Sequence, residues 1–146
     1  MATIDELMKR LEKLDVLQVA VDSIEATRAE LIERQKEQLY DGKTGSGDDI
    51  TPFYRPATIA MKRKKGQPTD RVTLRDKGEF YAGVFVDVRS DSFITDSADA
   101  KAAALTKKYG DDILKLGGRF KEAYVEDLRP VFQERIEEVT SLNFSP

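Results

Sequence analysis

The chain has 146 residues, no cysteine and no histidine, and a net charge of −3. That length favours one domain, with a core that buries about 68–70% of the unfolded-chain surface. Without cysteine there are no disulfides or thiolate metal sites, and without histidine the commonest general base and transition-metal ligand are missing, so the expectation is a non-enzyme with no metal and no cofactor.

Hydrophobic residues make up 40% and charged residues 35%, the composition of a globular domain with a charge-rich surface. The opening Met1 to Glu6 is acidic and lacks the basic and apolar regions of a signal peptide. Apolar runs are a few residues long, against about 20 for a membrane span. A chain made in the cytoplasm, with no membrane partner, is expected.

Thr3 with Glu6 three residues later is a capping box that opens a helix, and Ile4, Leu7, Leu11 and Leu14 follow at helical spacing. Asp15 precedes a second periodic run of Leu17, Ala20, Ile24, Thr27 and Leu31. The pattern predicts N-terminal helices over residues 3–40, either broken near Asp15 and then continuous to about Tyr40, or unbroken throughout. Residues 41–49, with Gly42, Gly45 and Gly47, read as a flexible loop. Residues 50–56 carry two prolines and two aromatics, an extended crossing, and Pro56 suits the first turn of a short helix to about Lys64. Gly66 and Pro68 end it.

A β-hairpin is predicted over residues 79–96: a strand from Phe80 to Val88, a turn at Ser90 or Asp91, and a return from Ser92 to Thr95. Gly78, entering the strand, fits a tight turn with positive φ. Helices are predicted over 98–142. The first runs from Ala98 to Lys108 and stops at Gly110. Asp111 to Leu116 reads as a strand or a helical turn. The last helix runs from about Arg119 to Leu142, with Phe120, Tyr124, Leu128, Val131, Phe132, Ile136 and Val139 on one face; Pro130 kinks it or marks its start. The fold class expected is α+β, with long N- and C-terminal helices packed on a small antiparallel sheet or hairpin.

Motifs for chemistry fail on spacing. Lys43-Thr44 follows Gly42, but a phosphate-binding loop needs glycine where Glu37 stands. The same loop places Lys43 and Gly45 where a calcium loop needs oxygen ligands. Adjacent carboxylates such as Asp111-Asp112 and Glu137-Glu138 point in different directions on a helix and read as solvated charge.

Charge is distributed unevenly. Residues 55–77 carry eight basic side chains against Asp70 and Asp76, a net of +6, which leaves −9 on the rest of the chain. Lys62, Arg63, Lys64, Lys65, Arg71 and Arg75 are the candidate contact residues. The run at 62–65 suits a helix C-terminus and reads as a solvated or intersubunit contact. Its alternative is nucleic-acid contact, although no aromatic interleaves the run to stack bases.

Taken in order, Pro52-Phe53-Tyr54, Thr58, Lys62, the run from Leu74 to Phe80, Tyr109-Gly110, and Arg119-Phe120 or Arg129-Pro130 resemble the tail-completion and virion-morphogenesis (head–tail joining) proteins of tailed bacteriophages. The similarity spans about residues 4–142. Lys77 stands where that family has threonine before the glycine. The resemblance implies a structural virion protein that completes the tail or joins it to the head: a connector subunit forming a homo-oligomeric ring, a hexamer by expectation. It also implies neighbouring connector, tail-terminator or tail-tube proteins as partners, DNA passing through the lumen near residues 55–77, and a place in the virion after assembly in the host cytoplasm. The competing expectation is a small nucleic-acid-binding module using the same basic segment.

Overall fold

The computed structural model describes residues 3–142. Its described elements, in order, are α1 (Ile4–Glu12), α2 (Val16–Ala26), α3 (Arg28–Tyr40), α4 (Pro56–Lys64), α5 (Glu79–Ala82), β1 (Val84–Val88), β2 (Phe93–Ser97), α6 (Ala102–Tyr109), a 3-10 turn (Asp111–Leu114) and α7 (Gly118–Thr140). The fold is α+β: helices α2, α3 and α7 pack together, and a two-stranded antiparallel sheet lies against α2 and α3.

The N-terminal capping box is present in full, the Thr3 hydroxyl accepting from the Glu6 amide and the Glu6 carboxylate accepting from the Thr3 amide. Asp15 caps α2 and breaks the helix there. The run expected to continue to Tyr40 breaks a second time, at Thr27. That hydroxyl donates to Ser23 O at 2.8 Å and lies 2.8 Å from the Tyr124 hydroxyl of α7, so the tyrosine donates to it. Thr27 is buried with its hydroxyl satisfied on both sides, and its backbone leaves the helical region at φ −109, ψ 22. The pairing fixes α2 antiparallel to α7, with Asp22 reaching Arg135 further along.

Phe80 does not begin the strand. Residues Glu79 to Ala82 form one helical turn, entered through Gly78 at φ +91, and the strand starts at Val84. The reason is burial: Phe80 and Tyr81 are adjacent and both buried, and a strand would send them to opposite faces. The hairpin pairs Val84 with Ser97 and Val88 with Phe93. Val84 and Val86 are buried, so Phe93, Thr95 and Ser97 share the inner face with them.

Pro130 lies inside α7, which runs unbroken from Gly118 to Thr140. Pro130 is exposed, while Tyr124 and Leu128 before it and Val131 and Phe132 after it are buried or half-buried, so packing on both sides holds the helix across the lost hydrogen bond. Helix α6 starts at Ala102, four residues later than expected, because residues 98–101 turn back over the hairpin, with the Ala98 amide bonded to Gly83 O.

The core has two parts. One gathers Leu31, Val86 and Tyr124 between α3, β1 and α7. The other gathers Leu39, Ile50, Val72, Phe80, Ile113 and Leu114 under the loops. Between them, Gln38 of α3 acts as a strand would: its amide nitrogen donates to Lys115 O at 2.8 Å and its amide oxygen accepts from the Gly117 amide at 2.9 Å. Gln35 likewise donates to Ile113 O at 3.0 Å. The segment 113–117 has no sheet partner, so side-chain amides satisfy its backbone.

Residues 41–49, which composition reads as a flexible loop, are tied down. The Gly45 amide bonds to Asp112 O, and the Ser46 amide and hydroxyl both donate to the Asp112 carboxylate. These bonds, the Ser46 hydroxyl first, hold that carboxyl below the usual carboxylate range. A Cβ on Gly117 would lie 1.7 Å from Gly45 O, so the two backbones touch directly.

Candidate functional site

The basic segment begins with α4, started by Pro56 at its first turn and ended by three cations in its last. The six candidate residues are not equivalent. Lys62 is turned inward and only 8% exposed. Its ammonium donates to Arg75 O at 2.8 Å and to Gln67 Oε1 at 3.3 Å, and sits 4.8 Å from the centre of the Tyr54 ring. Arg63 and Lys64 are exposed and have no ion-pair partner among the described residues. Lys65 pairs with Asp76 and holds that carboxyl below its ordinary value. Arg71 pairs with Asp70, donates to Tyr40 O at 2.7 Å and lies 5.1 Å from the Tyr40 ring centre. Arg75 is exposed, 6.0 Å from the Tyr81 ring centre.

Residues 72–76 run without a sheet partner, and side chains take the place of the missing strand. The Thr73 amide donates to the Tyr54 hydroxyl at 2.9 Å, and Thr73 O accepts from the Tyr81 hydroxyl at 2.5 Å. Arg75 O accepts from Lys62, and Asp76 O from Gln67 at 2.7 Å. Burial raises the Tyr81 phenol well above its usual range, so it remains a donor at any ordinary pH. Leu74, in the middle, has φ +56, a costly conformation for a branched side chain that this four-sided grip maintains.

Tyr54, Lys62, Leu74, Phe80 and Tyr109 line one small cavity of about 170 Å³. A second, larger groove of about 760 Å³ opens between β2 and α7, with Phe93, Leu116, Tyr124, Val125 and Leu128 on its walls and Lys121 and Asp96 at its polar positions. Among the described residues no group of three or more His, Cys, Asp or Glu is placed to hold a metal ion, and no helix is long and apolar enough to cross a membrane.

The inward turn of Lys62, the glutamine clamp and the groove are not read from the sequence above. The clamp leaves a signal, because Gln35 and Gln38 occupy the same helical stripe as Leu31 and Leu39, where a polar residue must have a buried partner. The groove leaves none, since it depends on where β2 meets α7.

Compared with protein-family models, with curated proteins and with solved structures, the chain finds no match in any of the three.

Proposed function

We propose that this chain is a structural subunit of a tailed-phage virion, a ring-forming connector that completes the tail or joins it to the head. The observation that carries the reading is the convergence of part of its resemblance set, with Phe53, Thr58 and Arg119-Phe120 lying outside it. Tyr54, Lys62, Leu74, Phe80 and Tyr109, dispersed over more than fifty positions, meet around one cavity. Residues scattered in sequence and joined in space form a framework, and their polar atoms are engaged in holding backbone: Tyr54 and Lys62 both bond to the 72–76 segment. A framework of this kind presents surfaces rather than reacting groups. The −9 and +6 parts of the chain supply opposite charges for repeated contacts between copies.

The test is immunogold labelling of tailed particles produced from the genome that encodes the chain. Label at the head–tail junction or the tail end supports the reading. Purified particles free of the chain, with all of it in the unassembled pool, overturn it.

A second reading has one specific observation in its favour: Arg63 and Lys64 are exposed cations without ion-pair partners among the described residues. As a nucleic-acid contact they give duplex binding that weakens steeply as salt rises, and Arg63→Glu with Lys64→Glu reduces that slope by about two phosphate contacts. A flat salt dependence removes this reading.

A further inference from the structure

The exposed apolar side chains include two unlike patches. The first is on α1. Ile4, Met8 and Leu11, spaced i, i+4 and i+7, form a stripe whose members are 77%, 53% and 45% exposed, while Leu7 and Leu14 beside them are half-buried. At 100° per residue, the open flank of this stripe is occupied by Asp5 and Glu12. Neither carboxylate has an ion-pair partner among the described residues. The second patch is the groove between β2 and α7. Phe93 and Val125 are 38% and 39% exposed there, and Lys121, one helical turn before Val125, likewise lacks an ion-pair partner among the described residues.

The two patches lie at opposite ends of α7. The Thr27–Tyr124 hydrogen bond and the Asp22–Arg135 ion pair run α2 antiparallel to α7, so α1, which precedes α2 and packs on α7, lies toward the Thr140 end. The groove is at Lys121 to Leu128. From Val125 to Thr140 the helix rises about 22 Å. Helix α1 therefore does not cover the groove of its own chain.

We infer that α1 of a second copy docks in this groove. The apolar stripe meets Phe93 and Val125, and its acidic flank of Asp5 and Glu12 faces Lys121 on the α7 wall, away from Asp96 on the β2 wall; Asp111 and Lys115, also in the lining, pair with each other. The contact joins two different surfaces, so it repeats head to tail and closes into a ring when the rotation per subunit allows. The inference rests on the ring-subunit reading and supplies its subunit contact.

The test uses two variants of the full chain, Met8→Glu on α1 and Val125→Glu in the groove. Both sites are exposed, and a thermal melt checks that each variant folds. Analytical ultracentrifugation is expected to show higher-order species for the wild type and monomers for each variant alone. An equimolar mixture is expected to give a species of two chains and nothing larger, because each pair has one intact contact and two disabled ends. If Val125→Glu melts early, Lys121→Glu probes the same groove by charge. The inference is overturned by a wild type that stays monomeric up to about 1 mM, the weak end of specific association. Variants that assemble like the wild type, or a mixture that stays monomeric, overturn it as well. The two ideas fail separately: complementing variants with unlabelled particles leave this contact standing and remove the connector reading, and labelled particles with a monomeric wild type do the reverse.

Discussion

Replacing Lys62 by methionine separates a structural lysine from its exposed neighbours. The substitution keeps most of the apolar stem and removes the ammonium that holds Arg75 O and Gln67 Oε1 and faces the Tyr54 ring. A hydrogen bond from a charged donor contributes about 1.5–3 kcal/mol, and a partly desolvated cation–π contact about 0.5–2 kcal/mol. Against these losses, methionine avoids the cost of burying a charge at a site only 8% exposed. The net expectation is a destabilisation of about 2 kcal/mol, which lowers Tm by about 4–8 °C in a domain of this size. Lys64→Met, two residues away and exposed, is expected to stay within about 0.5 kcal/mol of the parent. Urea titration followed by circular dichroism measures both. Equal midpoints for the two variants would refute the inward placement of Lys62 and with it the account of how residues 72–76 are held.

Three further outcomes follow from the packing. Gly117→Ala puts a Cβ 1.7 Å from Gly45 O, and backbone cannot yield as a side chain would; a loss of at least about 4 kcal/mol or failure to fold is expected, read by thermal melting, with Gly117 in ordinary extended geometry at φ −153 so that sterics alone are tested. Gln38→Glu removes the donor to Lys115 O while keeping an acceptor for the Gly117 amide; a destabilisation of about 3 kcal/mol is expected in the same urea titration, and a neutral result would mean the clamp is not formed. The carboxyls of Asp127, Asp112 and Asp76 are held below 3.8, by Arg34, Ser46 and Lys65 respectively. A folded-state value below the unfolded one means stability that is present above 3.8 and is lost as pH falls through the folded values. Urea midpoints are therefore expected to be level from neutral pH to about pH 5 and to drop below about pH 4, less steeply in Asp127→Asn.

The elements most legible in the sequence are those set by local chemistry. Thr3 with Glu6, Asp15 and Pro56 each act within a few residues of themselves, and each does in the structure what its position announces; Gly78 takes the positive φ expected of it but opens a helical turn in place of the strand. The departures come from long-range demands. Thr27, at the break between α2 and α3, is bonded to Tyr124, 97 residues away, a contact that helical periodicity does not reveal. Phe80 leaves the strand because it and Tyr81 must both be buried on one side. The loop at 41–49 is fixed by Asp112 and by a backbone contact with Gly117, neither of which composition reveals. At the candidate site the boundary of α4 was readable and the fate of its charges was not. A run of four cations looks uniform along the chain, but a helix turns each residue by 100°, so Lys62 faces the core while Arg63 and Lys64 face away.

Local pairing does not cancel the charge asymmetry of the chain. Lys65 and Arg71 pair with Asp76 and Asp70, but both acids belong to the same segment and are already included in its net +6. Lys62 is bound to a carbonyl and an amide oxygen, which are neutral, so its charge also remains in the sum. The segment thus keeps its full field at distances beyond the pairs themselves, screened over about 8–10 Å in ordinary salt. What structure changes is the short-range part. Only cations at the surface can touch a partner, and Arg63 and Lys64 are the pair on α4 that remains without ion-pair partners among the described residues. Raising salt weakens steering and contact together, whereas replacing Arg63 and Lys64 by neutral residues removes the contact, lowers the segment only from +6 to +4 and leaves the Lys62 framework in place. A loss of binding greater than that drop in charge gives is the mark of contact.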